Sequence, residues 1–222
     1  MVHIEVPENK VKTFQKAMIE YYMKHGRQFP WRTTRDPWKV ILSELLLRKT
    51  TSKQVERVFP KLAEYTPCEL ADEDIKAVES ILKPLGIFRE RARIIKLVAQ
   101  RICNIETVPA DEKELMKLPG VGKYVANAVL CISYGQPKPL LDRNMIRVLH
   151  RVFGVESKKS RPHTDKELWR FAESLVPSSC CREFNWGVLD FAAEICTARH
   201  PKCSKCPLKS ICSHFSKEHS ED

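Results

Sequence analysis

Leu118-Pro-Gly-Val-Gly-Lys-Tyr124 is the segment of this chain with the clearest structural signature. It lies between two runs of helical periodicity, so it predicts a helix–hairpin–helix over about residues 112–130. Gly120 and Gly122 allow a tight turn and leave backbone N–H groups free at the start of the second helix, where a phosphate oxygen can bind. Lys123 adds a cation at the same point. A Pro-Gly-x-Gly turn between helices is equally common as plain structure, so the motif needs support from elsewhere in the chain.

Helical periodicity extends along almost the whole sequence. Strand-like alternation is almost absent, and prolines and glycines separate the helical runs at short intervals. The sequence therefore predicts an all-α protein with short connections, and it predicts that the charged stretch 214–222 frays. The runs with apolar residues at i, i+3, i+4 and i+7, or close to it, are Val11–Lys24, Lys39–Lys49, Lys53–Tyr65, Asp72–Lys83, Glu90–Cys103, Asp111–Lys117, Gly122–Ser133, Asn144–Phe153, Asp165–Leu175 and Phe184–Ile195.

Length and charge narrow the classes of protein. With 222 residues and 43% hydrophobic content, the chain can form one large or two small domains with a real core. Charged residues interrupt every apolar run well short of the roughly 20 residues that cross a bilayer, so we expect a soluble cytoplasmic protein with no membrane partner. A net charge of +10 favours a polyanionic partner, above all nucleic acid, although solvated basic faces are also common.

Four cysteines near the C-terminus stand in the order C-x6-C-x2-C-x5-C: Cys196, Cys203, Cys206 and Cys212. One short loop that carries four thiolates can wrap a [4Fe–4S] cluster. Zinc stays open as an alternative, with His200 as a possible ligand, but structural zinc sites usually pair two C-x(2–4)-C knuckles. A disulfide framework is disfavoured, because the cysteine count of nine is odd and a chain of this length needs no disulfides to hold its core.

A carboxylate follows the glycine-rich turn at a short distance. Asp142 stands in Pro139-Leu-Leu-Asp-Arg-Asn-Met-Ile-Arg-Val148, immediately before a predicted helix, so it can simply be a helix N-cap. Cleavage of an N-glycosidic bond offers a second use, because a fixed carboxylate can stabilise an oxocarbenium-like sugar and orient the incoming water. The two interpretations are compatible, since an N-cap position holds a carboxylate rigidly.

Taken together, Leu118–Tyr124, Asp142 and the Cys196–Cys212 spacing resemble the endonuclease III superfamily of DNA glycosylases. The resemblance covers nearly the whole chain. It implies an all-α, two-domain helix–hairpin–helix DNA glycosylase fold with a [4Fe–4S] cluster loop. Further segments that resemble the archaeal-type thymine/uracil mismatch glycosylases, with adenine mismatch glycosylases as near relatives, are Phe29–Arg32, Arg35–Pro37, Ile41–Thr51, Leu175–Pro177 and Cys181–Gly187.

The same resemblance implies a domain organisation. A helical barrel domain is expected at 36–143, with the helix–hairpin–helix at about 112–130. The second domain is discontinuous and combines 1–35 with 144–222, including the iron–sulfur loop 196–212. A monomer is the expected oligomeric state.

Three residues are implied to act at the reacting nucleotide. Asp142 matches the catalytic aspartate of the superfamily. Tyr124 stands where bifunctional members carry a Schiff-base lysine, which implies a monofunctional hydrolase. Glu44 matches a pocket glutamate that protonates the leaving base in adenine-specific relatives, and an ionised carboxylate in an apolar helix is costly enough to favour a pocket role.

Other residues are implied to bind DNA. A glycosylase must flip its target nucleotide out of the duplex and fill the gap. Arg48 and Lys49 match the position that enters the vacated stack, although plain phosphate contact explains them equally well without the family match. Ile87 and Phe88 match an apolar plug between neighbouring bases. Gly120, Gly122 and Lys123 are the predicted phosphate contacts of the hairpin.

Three functions follow from these patterns. The first is excision of thymine or uracil from G·T and G·U mismatches in double-stranded DNA, by a prokaryotic enzyme associated with the nucleoid. The second is excision of adenine opposite guanine or oxidised guanine, which Arg48-Lys49 disfavours because adenine-specific relatives usually carry a glutamine pair there. The third is a DNA-binding iron–sulfur module without catalysis.

Overall fold

The computed structural model describes residues 6–105 and 107–218, and over these residues the chain is helical, with no strand. The predicted all-α class is therefore confirmed. The α-helices are α1 Glu8–His25, α2 Pro37–Leu46, α3 Ser52–Leu62, α4 Pro67–Asp72, α5 Ile75–Leu82, α6 Phe88–Ile105, α7 Glu112–Leu115, α8 Lys123–Ile132, α9 Arg143–Phe153, α10 Lys166–Ser174, α11 Cys181–Glu194 and α12 Ser213–Glu218. No helix within the described ranges is both long and apolar enough to span a membrane.

Two short helices were not predicted from periodicity. Helix α4 begins at a capping box, in which the Thr66 hydroxyl accepts the Glu69 N–H and the Glu69 carboxylate accepts the Thr66 N–H at 2.8 Å. Helix α12 occupies part of the stretch that we expected to fray, and the Ser213 hydroxyl ties its start to the Val152 carbonyl at 3.0 Å. Residues 219–222 of that stretch lie outside the described residues.

The chain divides into two compact units. One combines Met1–Arg27 with Gly135–Asp222, and the other is Gln28–Tyr134. The functional boundaries expected from the resemblance, 36–143 against 1–35 with 144–222, stay a prediction.

Helices α1, α9 and α11 form the centre of the discontinuous unit. Phe14 on α1 makes edge-to-face contacts with Phe153 at 5.1 Å and with Phe184 at 5.6 Å between ring centroids. Gly187 on α11 is required for the close approach of α1, because a Cβ there would lie 2.0 Å from the Met18 carbonyl oxygen. This packing fixes α9, and with it the residue that caps α9.

Helix α2 is largely buried within the Gln28–Tyr134 unit. Its start is set by Asp36, whose carboxylate accepts the Trp38 N–H at 2.9 Å, and by Pro37 at the first helical position. Its side chains are apolar on nearly every face, which is typical of a helix enclosed by others. It packs against α8, α3 and α6, so the residues at its C-terminal end are held between these helices.

One disulfide joins α4 to α6. Cys68 and Cys103 are bonded, with their Cα atoms 4.9 Å apart. The sequence disfavoured a disulfide framework and did not indicate this single bond, because helix packing brings together two cysteines that are 35 residues apart in the sequence. The four cysteines of the predicted cluster loop are not part of it.

Candidate functional site

Asp142 is the N-cap of α9, and its carboxylate is held by three donors. Its Oδ1 accepts the backbone N–H groups of Asn144 and Met145, each at 2.8 Å, and its Oδ2 accepts the side-chain amide of Asn144 at 2.7 Å. Both oxygens are therefore fixed in direction at the positive end of a helix dipole. Asp142 is thus a helix N-cap, as its local sequence indicated, and the residue is half-buried.

The environment of Asp142 acts on its pKa in two opposing ways. Burial raises the pKa of the carboxyl group, while the bonds from Met145 and Asn144 and the charge of Arg147 lower it. Burial is the larger influence, so the pKa lies above the ordinary aspartate value. Such a carboxylate is poorly hydrated, and a positive charge that develops near it is stabilised more strongly than in water.

Asn144 and Arg147 connect Asp142 to the cysteine loop, which the sequence analysis did not foresee. The Asn144 Oδ1 accepts from Arg147 Nη1 at 3.2 Å. Arg147 in turn donates from Nε to the Cys196 carbonyl and from Nη2 to the Ala192 carbonyl, both at 2.9 Å. The orientation of the Asp142 carboxylate thus depends, through two side chains, on the backbone of a predicted cluster ligand.

Tyr124 and Lys123 begin α8, after a glycine N-cap that makes no side-chain hydrogen bond. Tyr124 is half-buried at the second helical position. Lys123 points to Glu112 on α7, with 3.7 Å between Nζ and Oε1. This ion pair joins the two helices of the hairpin.

The hairpin turn between α7 and α8 requires glycine at one position. Gly120 has φ +72°, and a Cβ there would also lie 2.9 Å from the Ile94 side chain. Gly122 is exposed and has an extended backbone, so it is not needed for conformational reasons. The Arg48 guanidinium donates to the Gly120 carbonyl. Arg48, which was predicted to contact DNA, therefore also joins the end of α2 to the hairpin.

Glu44 lies on α2 and is half-buried, between fully buried neighbours at 43 and 45. The helix around it is mostly apolar, and the pocket role of Glu44 stays a prediction. The structure thus places Glu44 on the same helix that leads to Arg48 and Lys49.

Three of the four predicted wedge residues line one pocket. Lys49 and Ile87 both line a pocket of about 170 Å³, together with Arg48 and Arg91. Lys49 and Ile87 also have left-handed backbones, with φ 52° and 48°, which is unusual for residues other than glycine. Ile87 is 55% exposed. Phe88 is half-buried at the start of α6 and is not among the residues that line the pocket.

The four predicted cluster ligands line one small cavity. Cys196 and Cys212 are buried, and Cys203 and Cys206 are half-buried. Burial, together with the other three thiol groups, raises the pKa of Cys206 to about 11. The sulfur atoms therefore lie within electrostatic reach of one another, as ligands of one polynuclear cation must.

Donors to sulfur support the fit of a cluster. The Leu208 N–H donates to Cys206 Sγ and Arg151 Nη1 donates to Cys196 Sγ, both at 3.4 Å. Such bonds stabilise thiolate ligands. In the described part of the chain, no three His, Cys, Asp or Glu side chains are grouped as for a single metal ion. A cubane needs no such group, since each of its cysteines binds a different iron.

Two family models match the chain. Residues 42–174 match the HhH-GPD superfamily of base excision DNA repair proteins. Residues 196–212 match the iron–sulfur binding domain of endonuclease III, which confirms the predicted iron–sulfur cofactor and disfavours the zinc alternative.

Individual relatives agree with these models. A thymine/uracil-DNA glycosylase of Pyrobaculum aerophilum is 48% identical, over 92% of this chain and 92% of that protein. A thymine-DNA glycosylase of Aeropyrum pernix is 42% identical, over 95% and 98%. The solved structure of a thermostable thymine-DNA glycosylase superposes with a TM-score of 0.88 at 36% identity, over 94% of this chain and 98% of that one. Adenine DNA glycosylases are also similar, at lower identity. The chain therefore belongs to the HhH-GPD superfamily of base excision DNA repair proteins and carries the iron–sulfur binding domain of endonuclease III.

Proposed function

We propose that this DNA glycosylase removes thymine or uracil from G·T and G·U mismatches in double-stranded DNA. It hydrolyses the N-glycosidic bond of the flipped nucleotide, leaves the strand intact and acts as a monomer. The observation that carries the proposal is the geometry of Asp142, a half-buried carboxylate held by three donors at the start of α9. The names of the similar relatives supply the substrate class.

Asp142 is the proposed catalytic residue. Departure of the base leaves positive charge on the sugar, and a carboxylate in a poorly hydrated place stabilises that charge more than bulk water does. The bonds from Asn144 and Met145 prevent the carboxylate from rotating away during this step. The same carboxylate orients the water that attacks the sugar.

Tyr124 is proposed to shape the pocket for base and sugar. An amine at this position could attack the sugar and lead to strand cleavage, whereas a phenol cannot form a Schiff base. Lys123 is paired with Glu112 across the hairpin. The product is therefore an abasic site in an uncut strand.

Glu44 is proposed to read the Watson–Crick edge of the flipped pyrimidine or to hold a water molecule there. A half-buried carboxylate can accept from the ring N–H that thymine and uracil share. If adenine were the substrate, Glu44 would instead be the acid that protonates the leaving base.

DNA binding is assigned to the hairpin and to the two wedge segments, Arg48-Lys49 and Ile87-Phe88. The start of α8, where the helix dipole is positive, binds a phosphate together with Gly120, Gly122 and Lys123. Lys49 and Ile87, with Arg48 and Phe88, occupy the space that the flipped nucleotide leaves. A G·T or G·U wobble is easier to open than a Watson–Crick pair, which gives mismatch selectivity a physical source.

The iron–sulfur loop is proposed to hold further cations on the DNA backbone. The loop needs four deprotonated cysteines, Cys196, Cys203, Cys206 and Cys212, to hold the cluster. When bound, the cluster supplies structure rather than a step of hydrolysis, which requires no electron transfer. Exposed cations alternate with these ligands and would meet phosphates: Arg199, Lys202, Lys205 and Lys209.

The proposal is tested by single-turnover excision on duplexes that hold one G·T, G·U, G·A or oxidised-guanine·A pair. We expect strand breaks at T and U only after treatment with alkali, and at least tenfold slower excision of A. Preference for A would replace the proposal by the adenine alternative, with Glu44 as the acid. Binding without excision on any duplex would favour a module without catalysis.

The raised pKa of Asp142 predicts the acid side of the pH profile. Excision requires the carboxylate, so its rate should fall as the pH falls through the folded-state pKa, which lies above the ordinary aspartate value. Asn144→Ala removes a bond that lowers this pKa, so the fall should begin at higher pH in the variant. Single-turnover rates between pH 4 and 8, with circular dichroism to verify folding, measure the shift.

Asn104→Ala, an exposed substitution on α6, is the matched control and should leave the pH profile unchanged. An Asn144→Ala profile that coincides with that of the wild type would contradict the role of Asn144 in setting the pKa of Asp142.

A further inference from the structure

Arg91 on α6 makes an unusual set of contacts for a buried cation. Its side chain is inside the Gln28–Tyr134 unit, with 8% of the residue exposed. Nη1 donates to the carbonyl oxygens of Leu45 at 2.5 Å and Leu46 at 3.2 Å, and Nη2 donates to the Arg48 carbonyl at 2.9 Å. The Leu45 and Leu46 carbonyls are in the last turn of α2, whose carbonyls need partners from outside the helix, and the Arg48 carbonyl follows directly after it. The guanidinium therefore caps α2 from outside.

Burial of this charge is costly. Burial and the nearby Arg48 both lower the pKa of the Arg91 guanidinium, and its Nε has no acceptor within the described residues. The partial negative charge at the end of α2 offsets part of that cost. An aliphatic side chain would fill the same space without the desolvation of a charge, so packing alone does not account for an arginine at this position.

Arg91 also links the end of α2 to the second wedge segment, because it lies on α6, which begins directly after Ile87. Its backbone N–H donates to the Ile87 carbonyl at 3.1 Å, but this is the ordinary first bond of the helix and does not depend on the side chain. Arg91 lines one pocket with Arg48, Lys49 and Ile87, and its guanidinium bond to the Arg48 carbonyl ties the Arg48-Lys49 segment to the start of α6. Both Lys49 and Ile87 have left-handed backbones, and a strained conformation of this kind persists only where neighbouring groups hold it.

We propose that Arg91 is a positioning residue that locks the Arg48-Lys49 segment and Ile87 into one rigid wedge for insertion into the base stack. This inference rests on the proposed function, because it assigns the wedge role to Lys49 and Ile87. Arg91 lies beneath the wedge and does not touch DNA in this account. Its loss lets the two segments move independently, so the cost falls on opening the base pair and not on cleavage of the bond.

The test compares two substrates under single turnover. One duplex holds a G·U pair, and the other holds uracil opposite an abasic-site analogue, where no pair has to be opened and no guanine is left behind. Arg91→Lys keeps the charge, but one ammonium cannot reach the carbonyls that two separate guanidinium nitrogens reach. We expect excision to fall at least tenfold on G·U and less than threefold opposite the abasic analogue.

The matched control is Arg101→Lys, an exposed substitution on the same helix, which should change neither rate. Ile87→Ala removes an exposed side chain and should reproduce the selective loss without lowering the melting temperature. The double variant should lose little more than the worse single variant, since both changes disable the same wedge. If Arg91→Lys folds poorly, Arg91→Met, which fills similar space without the donors, is measured on the same two duplexes and should show the same selective loss.

Equal losses on the two duplexes, or no loss, would overturn the inference, because they indicate a merely structural role or none. A separate measurement tests the role of Arg91 independently of the proposed function. In an Asp142→Asn background, 2-aminopurine beside the target should brighten on flipping, and Arg91→Lys should reduce this signal without weakening DNA binding. A wild-type chain that excises uracil from neither duplex would refute the proposed function, whereas the 2-aminopurine signal would still decide the role of Arg91.

Discussion

Asp142→Asn is expected to slow base excision on the order of 10³-fold while the protein stays folded. The magnitude is that of removing one preorganised electrostatic group from a reaction that develops full charge. Asparagine is an equally good N-cap, so the bonds from the backbone N–H groups of Asn144 and Met145 should survive. In the wild type, the Asp142 carboxylate accepts a bond from the Asn144 side-chain amide. In the variant, the new side-chain NH₂ group faces that same amide, so we expect a small loss of stability.

Single-turnover excision on a G·U duplex and a thermal melt measure the two effects. Asp74→Asn is the matched control, because Asp74 caps α5 in the same way and has no proposed part in catalysis. The control should keep wild-type excision. An Asp142→Asn variant that retains more than a tenth of the wild-type rate would contradict the catalytic role and leave Asp142 as an ordinary cap.

Cys206→Ala is expected to abolish cluster binding and to destabilise the loop 196–212. We expect a cluster with only three cysteine ligands to be lost, and the free energy of cluster binding is also the free energy that orders such a loop. The Cys196 carbonyl accepts from Arg147, which orients Asn144, so disorder in the loop should reach the Asp142 carboxylate. We expect the iron content and the visible absorbance to be lost, together with at least a tenfold decrease in excision.

Cys180→Ala is the matched control, because Cys180 is an exposed free cysteine outside the loop. It should retain iron and activity. Iron analysis, visible absorbance and proteolysis of the loop separate the outcomes. A Cys206→Ala protein with wild-type iron content would contradict the ligand assignment, and one without iron but with full activity would contradict the link through Arg147.

The helices could be predicted because periodicity and helix caps are local properties of the sequence. The ten predicted runs all correspond to helices, with ends displaced by a few residues. Helix α4 was missed because it is too short for periodicity, although Thr66 and Glu69 form a capping box that could have revealed it. Helix α12 depends on docking of Ser213 against α9, which no local pattern shows.

The candidate site could be predicted only in part. Asp142 could be predicted as a helix cap from its local sequence, whereas its proposed catalytic role came from the resemblance to the superfamily. Asn144 and Arg147 could not be predicted, since the role of Arg147 depends on carbonyl groups far along the chain. Arg91 was hidden for the same reason, because its partners at the end of α2 are more than 40 residues away. The Cys68–Cys103 disulfide likewise follows from helix packing.

Analysis of the products released from a G·T duplex tests whether the protein removes thymine and leaves the strand intact. The wild-type protein, with its cluster, is incubated in excess over DNA, and the mixture is examined by mass spectrometry before any treatment with alkali. We expect free thymine and a full-length strand with one abasic site. Strand cleavage without alkali would contradict the monofunctional mechanism, and absence of free thymine would contradict the proposed substrate.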